Sequence, residues 1–556
     1  MDKRSWHRFY PFEVPPTLEY PSVSLTDQLI ASAERYPERN AVNFFGKCTS
    51  YRDLLLRSYR FADTLNSIGV QPGERVALLL PNMPQYIVSY YGTLLHGCVV
   101  VQLNPLHVER ELLGHLLDSG AETIVCLDLL VPRVLAIRER TRLKRVIVAG
   151  IGEELPALQK AIYPLVQKSK GNKPKYDART EQLYFFRRLL GKAEPKRVKP
   201  EVDPANDVAV LQYTGGTTGT PKGVMLTHAN LMANVKQCGA WLYKTEEGGE
   251  IVLAAVPLFH VYGMTVCMNF GLSIGATLVL VPKFEIEMLL KTIHKTKPTI
   301  FPGAPTMYIA INNHPLSAVK YEVSSIRCCI SGSAPLPLEV QQQFEQLTGG
   351  RLVEGYGLSE CAPVTHANPI WEEGKTGSIG LPWPDTDCKI VDENGEEVAR
   401  GQIGELLIRG PQVMKGYWNK PEETAQVLQE GWLRTGDMAY ADEDGFFYIV
   451  DRKKDMIIAG GYNIFPREVE EVLFEHPEVL EAAIIGVPDD YRGETVKAFI
   501  VRKSGSAVTE SELDVHCRTK LAAYKVPRIY EFREALPKSM IGKVLRRELR
   551  EETPKP

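Results

Sequence analysis

At 556 residues, 44% of them apolar, the chain exceeds one ordinary core and can fill at least two domains. Its 65 Lys and Arg against 68 Asp and Glu leave a net charge of -3, which excludes a general polyanion binder, nucleic acid included: nothing global draws the chain to a phosphate backbone. The ten cysteines form no CxxC pair and no metal-spaced array with His, so dispersed core thiols in a reducing compartment are expected, without disulfides or structural zinc.

The opening segment MDKRSWHRFYPFEVPPTLEYP is aromatic and Pro-rich without an apolar run, and reads as neither a secretory signal nor a transmembrane span. The final TPKP is neither a peroxisomal tripeptide nor a prenylation box, so the expected location is cytoplasmic. From Leu25 to about Asp128, amphipathic helical patterns (LTDQLIASAERYP, YRDLLLRSYRFADTLNSIG) alternate with β-rich runs (RVALLL, CVVVQL, TIVCL). Such alternation predicts an α/β fold layered on a largely parallel sheet.

Between Lys160 and Lys199 twelve Lys or Arg face three acids, and LYFFRRLL at Leu183 to Leu190 supplies an aromatic, apolar patch. A solvated surface insertion is the favoured reading; the other is a peripheral contact with the inner membrane face, basic residues beside buried aromatics. The strand VAVLQY then breaks into YTGGTTGTPKG, with a helix expected near His228 and Asn230. Glycines let backbone amides approach phosphate oxygens while Thr hydroxyls and Lys222 supply donors and charge, so Thr214, Gly215, Gly216, Thr217, Thr218, Gly219 and Lys222 are candidate polyphosphate contacts. The tract is not the GxxxxGK[ST] loop, because a glycine follows Lys222.

The α/β alternation resumes through IVLAAVPLF, ATLVLVP and PTIFPGAP to about Ile390, and Gly/acid turns with short strands then predict a β-rich section. DRKKDMIIAGGYNIFPREVEEVL (Asp451 to Leu473) joins a charged tetrad to a double glycine and a helix starting at Pro466, where proline is well tolerated. The expected division is a large N-terminal domain over 1–450, a hinge over 451–456 and a small mobile α+β domain over 457–556.

The phosphate tract, SGSAPL (331–336), EGYGLSE (354–360), WLRTGD (432–437), DRKKDMIIAGGYN (451–463) and Lys543 after PKSMIG occur in one order. In that order the chain, over about 20–550, resembles the AMP-forming acyl-CoA synthetases of the adenylate-forming superfamily, most of all the long-chain fatty acid:CoA ligases. Gly332, Ala334 and Pro335 make a turn free of bulk that suits a flat base. Glu354 opens the next tract, where Gly355 and Gly357 flank Tyr356, an aromatic face for adenine. Ser359 suits the α-phosphate and Glu360 suits Mg²⁺, a taker of oxygen ligands.

The resemblance implies the rest. Thr214 is the second protein contact to the metal, and Asp437 with Arg452 takes the ribose hydroxyls. His260 in VPLFHVYGM lies near the substrate carboxylate, Met264 gates an acyl tunnel, and Gly303 in FPGAPTMY keeps a channel open. Lys454 is the hinge residue. Gly460 and Gly461 lie on the CoA path. Lys543 bridges the carboxylate and the α-phosphate, two anions that otherwise repel. The implied reaction uses ATP, Mg²⁺ and CoA to turn a fatty acid into acyl-AMP and then acyl-CoA. Open alternatives are an aromatic-acid ligase, a ligase loading a carrier protein, and a non-catalytic acyl-adenylate-binding scaffold. A homodimer is admitted by this reading, not required by it.

Overall fold

The computed structural model describes residues 4–169, 176, 182–197, 200–214, 221–315, 317, 319–459, 462–489, 492–539 and 542–552. The β-rich runs become strands Arg75–Leu79, Val99–Gln102 and Thr123–Leu127, paired in parallel at the centre of an eight-stranded sheet. Val208–Thr214 extends that sheet in parallel, and Lys222–Thr227 and Gly416–Tyr417 close the same edge antiparallel. The helix Pro84–Leu95 is buried along its whole length, as a largely apolar helix is when layers enclose it on every side.

A second assembly runs through Ile251–Ala254, Thr277–Leu280 and Asn40–Phe44, and single bridges at Ile300 link it to Cys328–Ser331 and Arg351–Gly357. An antiparallel sheet follows, built on Asp387–Val391, Gly404–Arg409, Trp432–Ala441 and Phe447–Arg452. This is the β-rich section that the Gly/acid turns predict. The last of these strands runs through Arg452, two residues into the stretch read as the hinge.

From Ile457 on, the chain builds a separate sheet around Val479–Asp489 and Gly493–Arg502, packed by Pro466–Phe474 and Glu510–Lys520. Its core, with Val469, Leu473, Ile484, Ile500 and Leu513, is a cluster distinct from the main one. Pro466 occupies the first helical turn, where a missing N–H costs nothing.

Within the basic stretch, of which 170–175, 177–181 and 198–199 lie outside the described residues, Arg187, Arg188, Lys192 and Lys196 are exposed as a surface insertion requires, but the aromatic patch departs from expectation. Tyr184–Phe185 pairs as an edge strand with Arg145–Ala149, and Phe186 is buried with its ring stacked on Phe61 at 5.4 Å. So LYFFRRLL is in large part docked into the body, not presented as an apolar patch. The exposed apolar side chains lie earlier, on the helix Ala157–Ser169, at Leu158, Ile162 and Leu165. Among the described residues no helix is long and apolar enough to cross a membrane.

Candidate active site

Three of the tracts lie at carboxyl ends of parallel strands, where α/β sheets leave a crevice for ligands. Val208–Thr214 ends on Thr214, Cys328–Ser331 on the SGSAPL turn, and Arg351–Gly357 on the EGYG segment. The first expectation needs amending: a strand, Lys222–Thr227, stands between the phosphate tract and the helix His228–Trp241, whose start is capped by the Thr227 side chain. Thr214 and Lys222 are register partners at the base of this hairpin. The candidates Gly215, Gly216, Thr217, Thr218 and Gly219 lie outside the described residues, as do Gly460 and Gly461.

Lys222 stands over the ring of Tyr417 at 5.1 Å, and the Tyr417 hydroxyl donates to Glu360 Oε1 at 2.8 Å. This places a lysine cation, a phenol and a carboxylate in one chain of contacts, with Ser359 beside Glu360 in a single 3₁₀ turn. Glu360 and Tyr417 border a cavity of about 350 Å³ that Arg434, Glu405, Gly436 and Lys453 also line. Glu360 and Thr214 offer hard oxygen donors. No group of three or more His, Cys, Asp or Glu gathers among the described residues, so they build no all-protein cage. Such a sparse donor set fits Mg²⁺, which retains waters and is shared with substrate phosphates.

The adenine-facing tracts are held by their backbones. A Cβ on Gly357 would meet the Pro363 carbonyl oxygen at 2.0 Å, and one on Gly355 the Ile330 side chain at 2.7 Å, so both glycines are required by packing as well as by access to Tyr356. Gly332 lies against the ring of Tyr262, with 3.4 Å between that ring and a Cβ built on the glycine. After Ser333, Ala334 and Pro335 the turn is tied back, for the Leu336 amide donates to Glu354 Oε2 at 3.0 Å.

Tyr356 donates its hydroxyl to Asp437 Oδ2 at 2.5 Å, and Arg452 Nε lies 3.2 Å from Asp437 Oδ1. Asp437 and Arg452 face each other across adjacent strands, which explains how a carboxylate only 3% exposed keeps a cationic partner. Both of its oxygens are already engaged. Each retains a second lone pair, and that is the capacity left for further hydroxyl donors.

The acyl segment lies on the other side of Gly332. Tyr262 and Tyr308 both donate to the Ile330 carbonyl, at 2.6 and 3.2 Å, and so bind VPLFHVYGM and FPGAPTMY to the strand that ends in SGSAPL. Met264 is fully buried in the π-helical turn Gly263–Asn269, with Gln102 Nε2 donating to its sulfur at 3.2 Å. Gly303 differs from expectation: a Cβ there would meet the Tyr308 hydroxyl at 2.7 Å, so the space is taken by that buried ring and the glycine does not hold a channel open.

His260 Nδ1 accepts from the Tyr262 amide at 3.2 Å, which leaves the proton of the neutral ring on Nε2. Burial, with the charge of Lys543 adding to it, pushes His260 down to about 4, so the ring is neutral at physiological pH. Lys543 belongs to the C-terminal body yet reaches this crevice. Its surface stays open to cleft solvent, but protein encloses it, and that burial, followed by the Arg452 charge, brings the ammonium down to about 8. Lys454 lies between Phe447–Arg452 and Ile457–Ala459, open to solvent at its surface but partly enclosed by protein, and that enclosure, followed by the Arg452 charge, lowers its pKa.

Sequence reasoning did not single out Tyr417, Tyr262, Thr306 or Arg467. The first three are hydroxyl residues in tracts whose local pattern gives no sign of the partner each meets.

Comparison with known proteins follows the same outline. Residues 29–418 match the family model described as AMP-binding enzyme, and residues 468–543 match the AMP-binding enzyme C-terminal domain. The chain is 51% identical to a long-chain-fatty-acid--CoA ligase of Bacillus subtilis (strain 168) over 552 residues, covering 99% of this chain and 98% of that protein. It is 41% identical to a long-chain-fatty-acid--CoA ligase of Escherichia coli O157:H7 over 555 residues, again 99% and 98% of the two chains. Among solved structures, ATP-bound MatB from Rhodopseudomonas palustris superposes with a TM-score of 0.83 at 29% identity, covering 95% of this chain and 98% of that one.

Proposed function

The chain belongs to the AMP-binding enzyme family, and from that premise we propose that it joins a long-chain fatty acid to CoA, using ATP and releasing AMP and pyrophosphate. In the first step a carboxylate oxygen bonds to the α-phosphorus of ATP, the bond to the β-phosphate breaks, and pyrophosphate leaves. In the second the CoA sulfur bonds to the acyl carbon, the thiol proton is lost, and AMP departs. No enzyme nucleophile is needed.

The first step requires two anions to meet. Lys543 carries the charge that screens them and withdraws with the mobile domain 457–556 before the thiol arrives, while Lys454 lies at the joint over 451–456. The packing of Gly542 against Thr306, which brings the next residue, Lys543, to the crevice where its charge bears on His260, is the observation that supports this assignment. His260, neutral, donates from Nε2 toward the substrate carboxylate. Tyr356 flanks the adenine against Gly332, Ala334 and Pro335, and Asp437 with Arg452 receives the ribose. Thr214 and Glu360 would hold Mg²⁺, which would supply positive charge to the phosphates when bound, and Lys222 adds its own. Met264 closes the acyl path. Gly460 and Gly461 leave room for the pantetheine arm of CoA.

A contact with an anionic membrane surface is the finer part of this reading. It is supported by Leu158, Ile162 and Leu165, exposed at i, i+4 and i+7 on one helix that also carries Lys160 and Lys168.

CoA-dependent AMP release, measured across acids of graded chain length and a few aromatic acids, tests the function. Turnover should be highest with long acyl chains and AMP the nucleotide product. Preference for an aromatic acid, or release of ADP, would overturn it.

A further inference from the structure

Arg467 is the second residue of the helix Pro466–Phe474, on the C-terminal body, yet both terminal nitrogens of its guanidinium face the N-terminal one. Nη1 donates to the Ile449 carbonyl at 2.9 Å, and Nη2 lies 3.8 Å from Glu354 Oε1. Nε donates to Glu471, one turn along the same helix, at 2.8 Å, which fixes the direction of the fork. The second Glu354 oxygen accepts from the Leu336 amide at 3.0 Å. One carboxylate therefore ties the turn facing the adenine to a cation that arrives on the other body.

Both side chains are nearly inaccessible, Arg467 at 11% and Glu354 at 7%. A buried ion pair adds little net stability by itself, but removing one partner leaves a stranded charge. Glu354 is fixed to the strand Arg351–Gly357, whereas Arg467 moves with its helix, so rotation about the joint must break the contact. The pair can exist in one arrangement only, the one in which Lys543 occupies the crevice.

Resting on the two-domain alternation proposed above, we infer that Arg467 is a positioning residue: through Glu354 and Ile449 it holds the C-terminal body in the arrangement for acyl-AMP formation. It touches no reacting atom. Its effect is confined to the first half-reaction, because the second takes place after the contact has parted. Lysine cannot replace it, for a single ammonium on a flexible stem does not bond Ile449 and Glu471 and face Glu354 from one fixed fork.

The two half-reactions of the full-length enzyme separate the possibilities: pyrophosphate release from fatty acid and MgATP without CoA, and thioester formation from supplied acyl-AMP with CoA. Arg467→Gln should lower kcat/KM for the first by about 10-fold, the size of a modest population shift, and leave the second unchanged, with Arg467→Lys rescuing little. Glu354→Gln, which keeps an oxygen for the Leu336 amide, should slow the first more than the second, and the Arg467→Gln/Glu354→Gln pair should be no slower in the first than the slower of the two single variants. Should Arg467→Gln fail to fold, Arg467→Lys and Glu354→Gln carry the same test. Equal loss in both half-reactions, an unaffected first half-reaction, or multiplicative loss in the pair would overturn the inference. A wild-type enzyme inactive in either half-reaction would instead overturn the ligase reading.

Discussion

Gly542 of the C-terminal body lies so close to Thr306 of the N-terminal one that a Cβ built on the glycine would meet the threonine Oγ1 at 2.2 Å. Thr306 Cγ2 and Cβ follow at 2.9 and 3.1 Å, so turning one side-chain bond would not relieve the clash. The glycine also has a φ of +77°, which an L side chain adopts with strain. The residue after it is Lys543. A backbone allowed this near is how the lysine reaches the crevice.

Gly542→Ala should therefore act on two quantities at once. The strain at φ +77° belongs to the turn itself and should lower the stability of the C-terminal body. The clash arises only when that body closes, and overpacking of about 1–3 kcal/mol there should slow acyl-AMP formation about 10-fold or more while thioester formation from supplied acyl-AMP is spared. Thr306→Ala removes the two nearest atoms and should restore part of the loss. An unchanged first half-reaction in Gly542→Ala would show that the contact does not limit closure.

Lys543 makes its own prediction about pH. Burial, and after it the Arg452 charge, brings the ammonium down to about 8, so the protonated, screening form prevails below that pH and is lost above it. In the free enzyme kcat/KM for acyl-AMP formation should fall as pH rises through 8, and bound MgATP, being anionic, should move the kcat limb upward. Lys543→Arg, charged throughout, should abolish the limb, and Lys543→Ala should cost about 100-fold or more in this half-reaction alone. His260, held neutral with a pKa near 4, contributes no limb between pH 5 and 8. A limb that persists in Lys543→Arg would belong to another group.

The layered α/β body, the β-rich section and the separate C-terminal core were legible because each rests on local periodicity or turn chemistry. Strand ends bearing the Gly-rich tracts were legible for the same reason. Sequence gave no sign of pairs such as Tyr417 with Glu360 or Arg467 with Glu354, in which each partner is ordinary where it stands. Gly303 was misread because a glycine that admits a substrate and one that admits a buried tyrosine leave the same letter. LYFFRRLL was misread as a patch because an edge strand leading into a docked helix has the same apolar content as an exposed one, and its partner Phe61 is remote in the chain.

That correction decides how membrane contact should be tested. Phe186 is buried against Phe61, so Phe186→Ala should lower stability by about 3 kcal/mol, seen as a fall in the denaturation midpoint, and report nothing about lipid. Leu158, Ile162 and Leu165 are 75%, 47% and 69% exposed, so replacing all three with Ser should leave the midpoint nearly unchanged. If this face enters a bilayer surface, the same triple variant should bind anionic vesicles about 10-fold more weakly, since each side chain forfeits its apolar transfer. Wild-type binding should weaken with added salt, because Lys160 and Lys168 act through screened charge, and should be poor on neutral vesicles. Undiminished vesicle binding by the triple variant would remove this helix from the membrane reading, whatever the masses of basic residue around it.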